Sequence, residues 1–163
     1  MTEPGSVTYG VHSEVGRLRK VLVCKPGLAH ERLTPSNCDD LLFDDVLWVQ
    51  NAERDHQDFV NNLRGHEVDV VELHDLLADT MANDQAKNWL LARKIVTNEV
   101  GLGLVTETRA FLEELVPAEL ARFLIGGLST RDLPAELATG YRSLISGAHG
   151  GHEYLMSPLP NTL

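Results

Sequence analysis

Cysteine is scarce in this chain. Only Cys24 and Cys38 occur among its 163 residues, too few for the disulfide framework of a small secreted domain, so two reduced thiols are expected. Basic residues are also short: 14 Lys and Arg stand against 24 Asp and Glu, a formal charge of −10. Nucleic-acid binding needs a basic footprint, and so does attraction to an anionic membrane surface; neither partner is expected. No apolar run approaches the roughly 20 residues of a transmembrane helix. The opening MTEPGSVTYG has neither the basic nor the apolar region of a secretory leader, so a cytoplasmic protein is expected.

The hydrophobic share of 43 % is enough to bury a core without metal or disulfide staples. The length favours one domain or two small ones. An acidic surplus is compatible with a small cationic ligand but does not identify one.

Residues 1–16 are polar and rich in turn formers, so a loose N-terminus is expected. RLRKVLVCKPG (17–27) holds the β-branched run Val21-Leu22-Val23 and stops at Pro26-Gly27, which reads as a short buried strand. Residues 28–44 have no regular period, and a loop of that length in a compact domain points to function or disorder. From Val46 onward, Val49, Ala52, His56, Phe59, Val60 and Leu63 share one face at helical spacing. Gly65 stands where a glycine C-cap belongs, and EVDVVEL (67–73) reads as a second strand. A helix between two strands allows a parallel crossover over 17–73.

After Leu73 the pattern is helical for about 75 residues, in HDLLADTMA, DQAKNWLLARKIV, TETRAFLEEL and two segments that begin PAEL at Pro117 and Pro134. Proline suits a first helical turn, so the shared tetrapeptide reads as start chemistry rather than as a repeat. GAHGGH (147–152) breaks the pattern, and EYLMSPLPNTL (153–163) turns extended. The fold class expected is α/β, with an α/β unit giving way to helices near residue 74.

The residues that could carry chemistry are few. RLTPSNCDDLLFDDV (32–46) sets Cys38 among Asp39, Asp40, Asp44 and Asp45. A nucleophilic thiolate needs a nearby base or cation, and four carboxylates oppose it, so Cys38 reads as a structural thiol. Cys24, closing a strand, reads as a small hydrophobe. The four aspartates could face a cationic ligand. Equally, Asp44 or Asp45 could cap the helix that opens at Val46. Seven histidines are scattered; His149 and His152 have an H-x-x-H spacing, but in a glycine-rich breaker, and no metal site is expected. His56 on the apolar helix face reads as a packed, hydrogen-bonded histidine. GLGLV (101–105) lacks the preceding strand and following lysine of a phosphate loop. Trp48 and Trp89 read as core anchors. No complete catalytic set is visible.

Four stretches in order, GVHSEVGRLRKVLVCKPG (10–27), RLTPSNCDDLLFDDVLWVQNAERDH (32–56), LIGGLSTRDLP (124–134) and SPLPNTL (157–163), resemble the N-terminal part of bacterial arginine deiminases. The resemblance implies a pentein fold, a five-bladed α/β propeller with a helical domain inserted after its first blade. Residues 17–73 would then form the first blade, 74–150 the inserted helical domain and 151–163 the start of the next blade. It also implies hydrolysis of L-arginine to L-citrulline and ammonia without a cofactor. In that chemistry a cysteine attacks the guanidinium carbon, a histidine moves protons and carboxylates orient the cation.

In the family the PNT motif runs on, after one more residue, into Phe-Thr-Arg-Asp, whose aspartate is the first substrate clamp. Here Leu163 is the last residue. The expectation is therefore that the clamp, the histidine and the nucleophile all lie beyond it, that no catalytic residue can be assigned, and that the chain alone is inactive. Two substrate-binding elements carry over by resemblance: Asn161 of PNT, toward the amino-acid end of arginine, and Leu41 with Leu42 of the LLF loop, partly through main chain. The alternatives from another class are a non-catalytic interaction or regulatory module, or one half of a split enzyme. Either would pair as a homo-oligomer or with a complementary C-terminal chain. Another guanidine-modifying pentein, such as an amidinotransferase, fits RLTPSNCDDLLFDD less well.

Overall fold

Val21, Val23, Val70 and Val71 supply the β-branched side chains that seed the first sheet. In the computed structural model, which describes residues 10–11, 13–96, 100, 105–138 and 154–161, strand β1 (Lys20–Val23) pairs parallel with β2 (Asp69–Glu72). The register sets Lys20 against Asp69 and Val23 against Glu72. Parallel neighbours need a crossover, and helix α2 (Val49–Gly65) provides it. The strand is less buried than its composition suggests: Val23 is buried, while Leu22 is 40 % exposed.

Both ends of α2 depart from the sequence reading. The helix opens at Val49, behind Trp48, which has no side-chain cap bond. Asp45 caps nothing: its Oδ1 accepts from the adjacent Val46 N–H at 2.7 Å, ahead of the helix. At the other end the helix runs through Gly65, and the left-handed residue is Glu67, at φ 61. The Val68 N–H returns to the Leu63 carbonyl at 3.1 Å and the Glu67 N–H to the Arg64 carbonyl at 3.0 Å. These are the two bonds of a Schellman stop, with Glu67 where glycine would be unstrained.

Among the described residues, the segment after β2 is mostly helical. β2 passes directly into α3 (Leu73–Met81), followed by α4 (Asp84–Lys94), α5 (Val105–Glu114) and α6 (Pro117–Gly126). Asn83 caps α4 by accepting from the Ala86 N–H at 3.1 Å, and Arg93 and Lys94 sit in its last turn, complementing the helix dipole. Pro117 opens α6, as its PAEL start requires. The second PAEL segment is helical over 135–138. The remainder of that segment, GAHGGH and most of GLGLV lie outside the described residues.

A second small sheet was not legible. Strand β3 (Leu128–Ser129) lies inside the stretch expected to be wholly helical, and it pairs antiparallel with β4 (Tyr154–Met156). Two residues are too short for a period to register. Gly127 joins α6 to β3 at φ 81; a Cβ there would stand 2.6 Å from the Pro158 nitrogen and 2.7 Å from the Met156 carbonyl oxygen. Only glycine permits that approach.

The core gathers under the helices rather than on the β1–β2 sheet. Met81, Leu91, Leu112, Leu120, Leu128 and Leu155 are all but fully buried, and α3 packs along α6. Neither tryptophan belongs to it. Trp48 is 70 % exposed and Trp89 58 % exposed, the latter covered on one face by the Arg93 guanidinium, 4.0 Å from the ring centroid.

Candidate functional site

The loop after β1 is a folded object. Short helix α1 (Leu28–Glu31) starts it, and Ala29 is buried against α6. Arg32 then reaches across the structure. Its Nη2 stands 2.6 Å from Asp132 Oδ2 and its Nη1 donates to the Gly126 carbonyl at 3.1 Å. Its guanidinium carbon lies 5.5 Å from the centroid of the Tyr154 ring. Asp132 Oδ2 also accepts from the Ser129 N–H at 2.6 Å and the Ser129 hydroxyl at 2.9 Å. One nearly buried ion pair thus ties the loop to both strands of the second sheet.

Beyond Arg32 the turns hold themselves. Asn37 accepts from the Thr34 N–H at 2.8 Å and donates to the Arg32 carbonyl at 3.0 Å. The Phe43 N–H returns to the Cys38 carbonyl at 2.9 Å. Cys38 is buried beneath these turns. Asp39, Asp40, Asp44 and Asp45 are all exposed around the loop.

The three residues singled out for substrate binding come together in part. Leu42 is 76 % exposed and held at φ 59, a conformation a leucine adopts at a cost of about 1–2 kcal/mol. Its carbonyl accepts from Asn161 Nδ2 at 3.3 Å. Leu41 is half-buried beside it and bonds through its N–H to the Asn37 carbonyl at 3.1 Å. The segment that carries Asn161 is pinned by the Leu159 N–H on the Ile125 carbonyl at 3.0 Å. His30 packs edge-on against Phe43, with centroids 5.5 Å apart, and accepts from the Gly27 N–H at 3.3 Å. Burial pushes its imidazole pKa down, a hydrogen bond to the Pro160 backbone opposes that, and nearby His74 adds to the lowering.

Cys24 is held as a thiol. The Cys24 thiol is pushed up to about 11, first by burial and then by the Glu72 carboxylate, with Lys25 opposing. At neutral pH it stays a thiol.

One cluster escaped the sequence reading altogether. Glu72 Oε1 accepts from the Lys25 N–H at 2.9 Å and lies 3.1 Å from His74 Nδ1, while its Oε2 lies 3.6 Å from His56 Nε2. His56 is packed, as expected, but its Nε2 is buried without a hydrogen-bond partner, against the expectation of a bonded histidine. The only sequence signal was a carboxylate at the end of a valine-rich strand. His12, His149 and His152 lie outside the described residues.

Among the described residues no helix is long and apolar enough to cross a membrane. Compared with known protein families, residues 39–163 match the family model described as arginine deiminase. The match takes in the LLF loop, all the described helices from α2 onward, both strands of the second sheet and the PNT motif. This chain belongs to the arginine deiminase family.

Proposed function

We propose that these 163 residues are the part of an arginine deiminase that builds one wall of its arginine pocket, and that they do not catalyse the reaction alone. The observation that carries this reading is the bond from Asn161 to the Leu42 carbonyl. It joins the two segments that the family resemblance assigns to substrate. With its amide NH2 turned to Leu42, Asn161 presents its carbonyl oxygen as an acceptor, the group that an α-ammonium needs. The strained main chain at Leu42 sits at the same surface, where stored strain commonly serves a ligand. Leu41 and Leu42 supply the wall.

The reaction adds water to arginine and releases citrulline and ammonia. A thiolate attacks the guanidinium carbon, ammonia departs, and water displaces the sulfur. The guanidinium is delocalised and a poor electrophile, so carboxylates must orient it. The protonated Cys24 thiol does not suit the attack, and the family resemblance assigns the nucleophile, the proton-moving histidine and the clamping carboxylates to residues other than those named here. In this reading β1–α2–β2 (17–73) is the first propeller blade, 74–150 the helical insertion and 151–163 the return to the next blade, in a cytoplasmic enzyme without cofactor. Citrulline formation by the purified chain tests the claim: none above background is expected, and robust turnover would overturn it.

A second reading, an interaction module that pairs with a complementary C-terminal chain or with its own copies, has one observation in its favour. Among the described residues β1 and β2 pair only with each other, and Leu22 of β1 and Phe59 of the crossover helix are exposed. Open strand edges beside apolar side chains favour association. A shift in size-exclusion elution on adding the complementary chain would support it, and a monomer that binds nothing would count against it.

A further inference from the structure

We propose that Cys24, His56, Glu72 and His74 form a binding site for a borderline-soft divalent cation, with zinc the best fit to the donor set. Cys24 Sγ, a Glu72 carboxylate oxygen and a His74 ring nitrogen all lie within 4.8 Å of one another. Tetrahedral zinc sites hold their ligands at roughly 2.0–2.3 Å from the metal, so their donor atoms stand about 3–4 Å apart. His74 Nδ1 already stands in that range, 3.1 Å from Glu72 Oε1, and His56, outside that group of three, approaches the other carboxylate oxygen, Oε2, at 3.6 Å.

The fourth donor is the reason to read the cluster as a site rather than as a hydrogen-bonded knot. His56 Nε2 is buried and has no hydrogen-bond partner, yet it faces the carboxylate. A buried ring nitrogen left without a bond is costly, and a metal ion would complete it. The remaining groups are also arranged for this purpose. The His56, Glu72 and His74 side chains are only 18 %, 14 % and 17 % exposed, so water competes weakly. The Lys25 N–H already orients the Glu72 carboxylate at 2.9 Å, the outer-shell support that metal-binding carboxylates commonly have.

The topology explains why four distant residues meet. Because Val23 and Glu72 are register partners, Cys24 leaves β1 beside the last residue of β2. The crossover helix contributes His56, and α3, which follows β2 without a loop, contributes His74. The site therefore lies at the C-terminal end of a parallel strand pair, the usual place for ligands in such sheets. On binding, the sulfur–metal bond forms as the thiol proton leaves to solvent. Thiolate and carboxylate together then neutralise the dication. Such a metal would clamp β1, α2, β2 and α3 together, and the site stands independently of any arginine binding.

The test is a titration of the purified, chelator-treated full chain with cobalt(II), followed by displacement with zinc. One equivalent is expected to give a sulfur-to-cobalt charge-transfer band that zinc abolishes. Cys24→Ser should remove the band and Cys38→Ser should keep it. His56→Ala should weaken cobalt affinity at least tenfold. Zinc should raise the melting temperature of the wild-type chain and not that of Cys24→Ser, a comparison that separates lost binding from lost folding. Cobalt bound without the band, a band unchanged in Cys24→Ser, or no binding at all would overturn the proposal.

Discussion

Asn161 donates its side-chain amide to the main-chain carbonyl of Leu42, 119 positions earlier in the chain, at 3.3 Å. The contact closes the surface on which the arginine reading rests, and the Leu42 main chain it meets sits at φ 59. Leu42→Gly should remove the left-handed penalty at an exposed position and stabilise the chain by up to about 1 kcal/mol. Urea unfolding is the measurement. If the strain serves ligand binding, the same variant should bind L-arginine more weakly because the carbonyl is less firmly placed.

The end of α2 offers a paired test. Glu67 carries the positive φ and Gly65 does not. Glu67→Gly should stabilise by about 1 kcal/mol, because its ion pair with Arg17 joins two largely exposed side chains and contributes little. Gly65→Ala should also stabilise, by about 0.5–1 kcal/mol, since nothing lies within 4 Å of the added Cβ. Had Gly65 been the left-handed cap, the second change would destabilise.

Arg32 and Asp132 form the most buried arginine or lysine ion pair among the described residues, with side chains 10 % and 21 % exposed. Arg32→Met should cost about 3 kcal/mol in chemical unfolding, because Asp132 keeps only its Ser129 partners. Asp132→Asn should cost less, since an amide can still serve Ser129. A double-mutant cycle should show strong coupling between the two positions.

The Cys24 thiol gives the metal-free chain a signature in base. It titrates at about 11 when folded, against a usual value of 9.0. Between those values the unfolded chain releases a proton that the folded chain keeps. Stability from this group is therefore intact below pH 9 and falls as pH rises toward 11. The wild-type chain should lose stability over that window relative to Cys24→Ser. Alkylation of Cys24 at neutral pH should be slower than that of a free thiol.

What the sequence disclosed follows from where periodicity is strong. The valine runs of β1 and β2 and the apolar face of α2 repeat over enough residues to be read. The misses lie where one dimension carries no signal. Trp48 and Trp89 read as buried because they are large, yet one precedes α2 and the other projects from α4 under Arg93. β3 is two residues long. The Glu72 cluster and the Arg32–Asp132 pair depend on contacts between residues far apart in the chain. Asn161 and Leu42 were named through family likeness, and no residue pattern joins them.

The account is tested most directly by nuclear magnetic resonance, following the Asn161 side-chain amide as L-arginine is added to the purified chain. Asn161 is assigned to the amino-acid end of the substrate. Arginine should therefore shift that signal and the backbone amides around Leu42, while 5-guanidinopentanoate, which lacks the α-ammonium, should not. Shifts of equal size with both ligands, or arginine binding unchanged in Asn161→Ala, would contradict the assignment of this surface as the arginine wall.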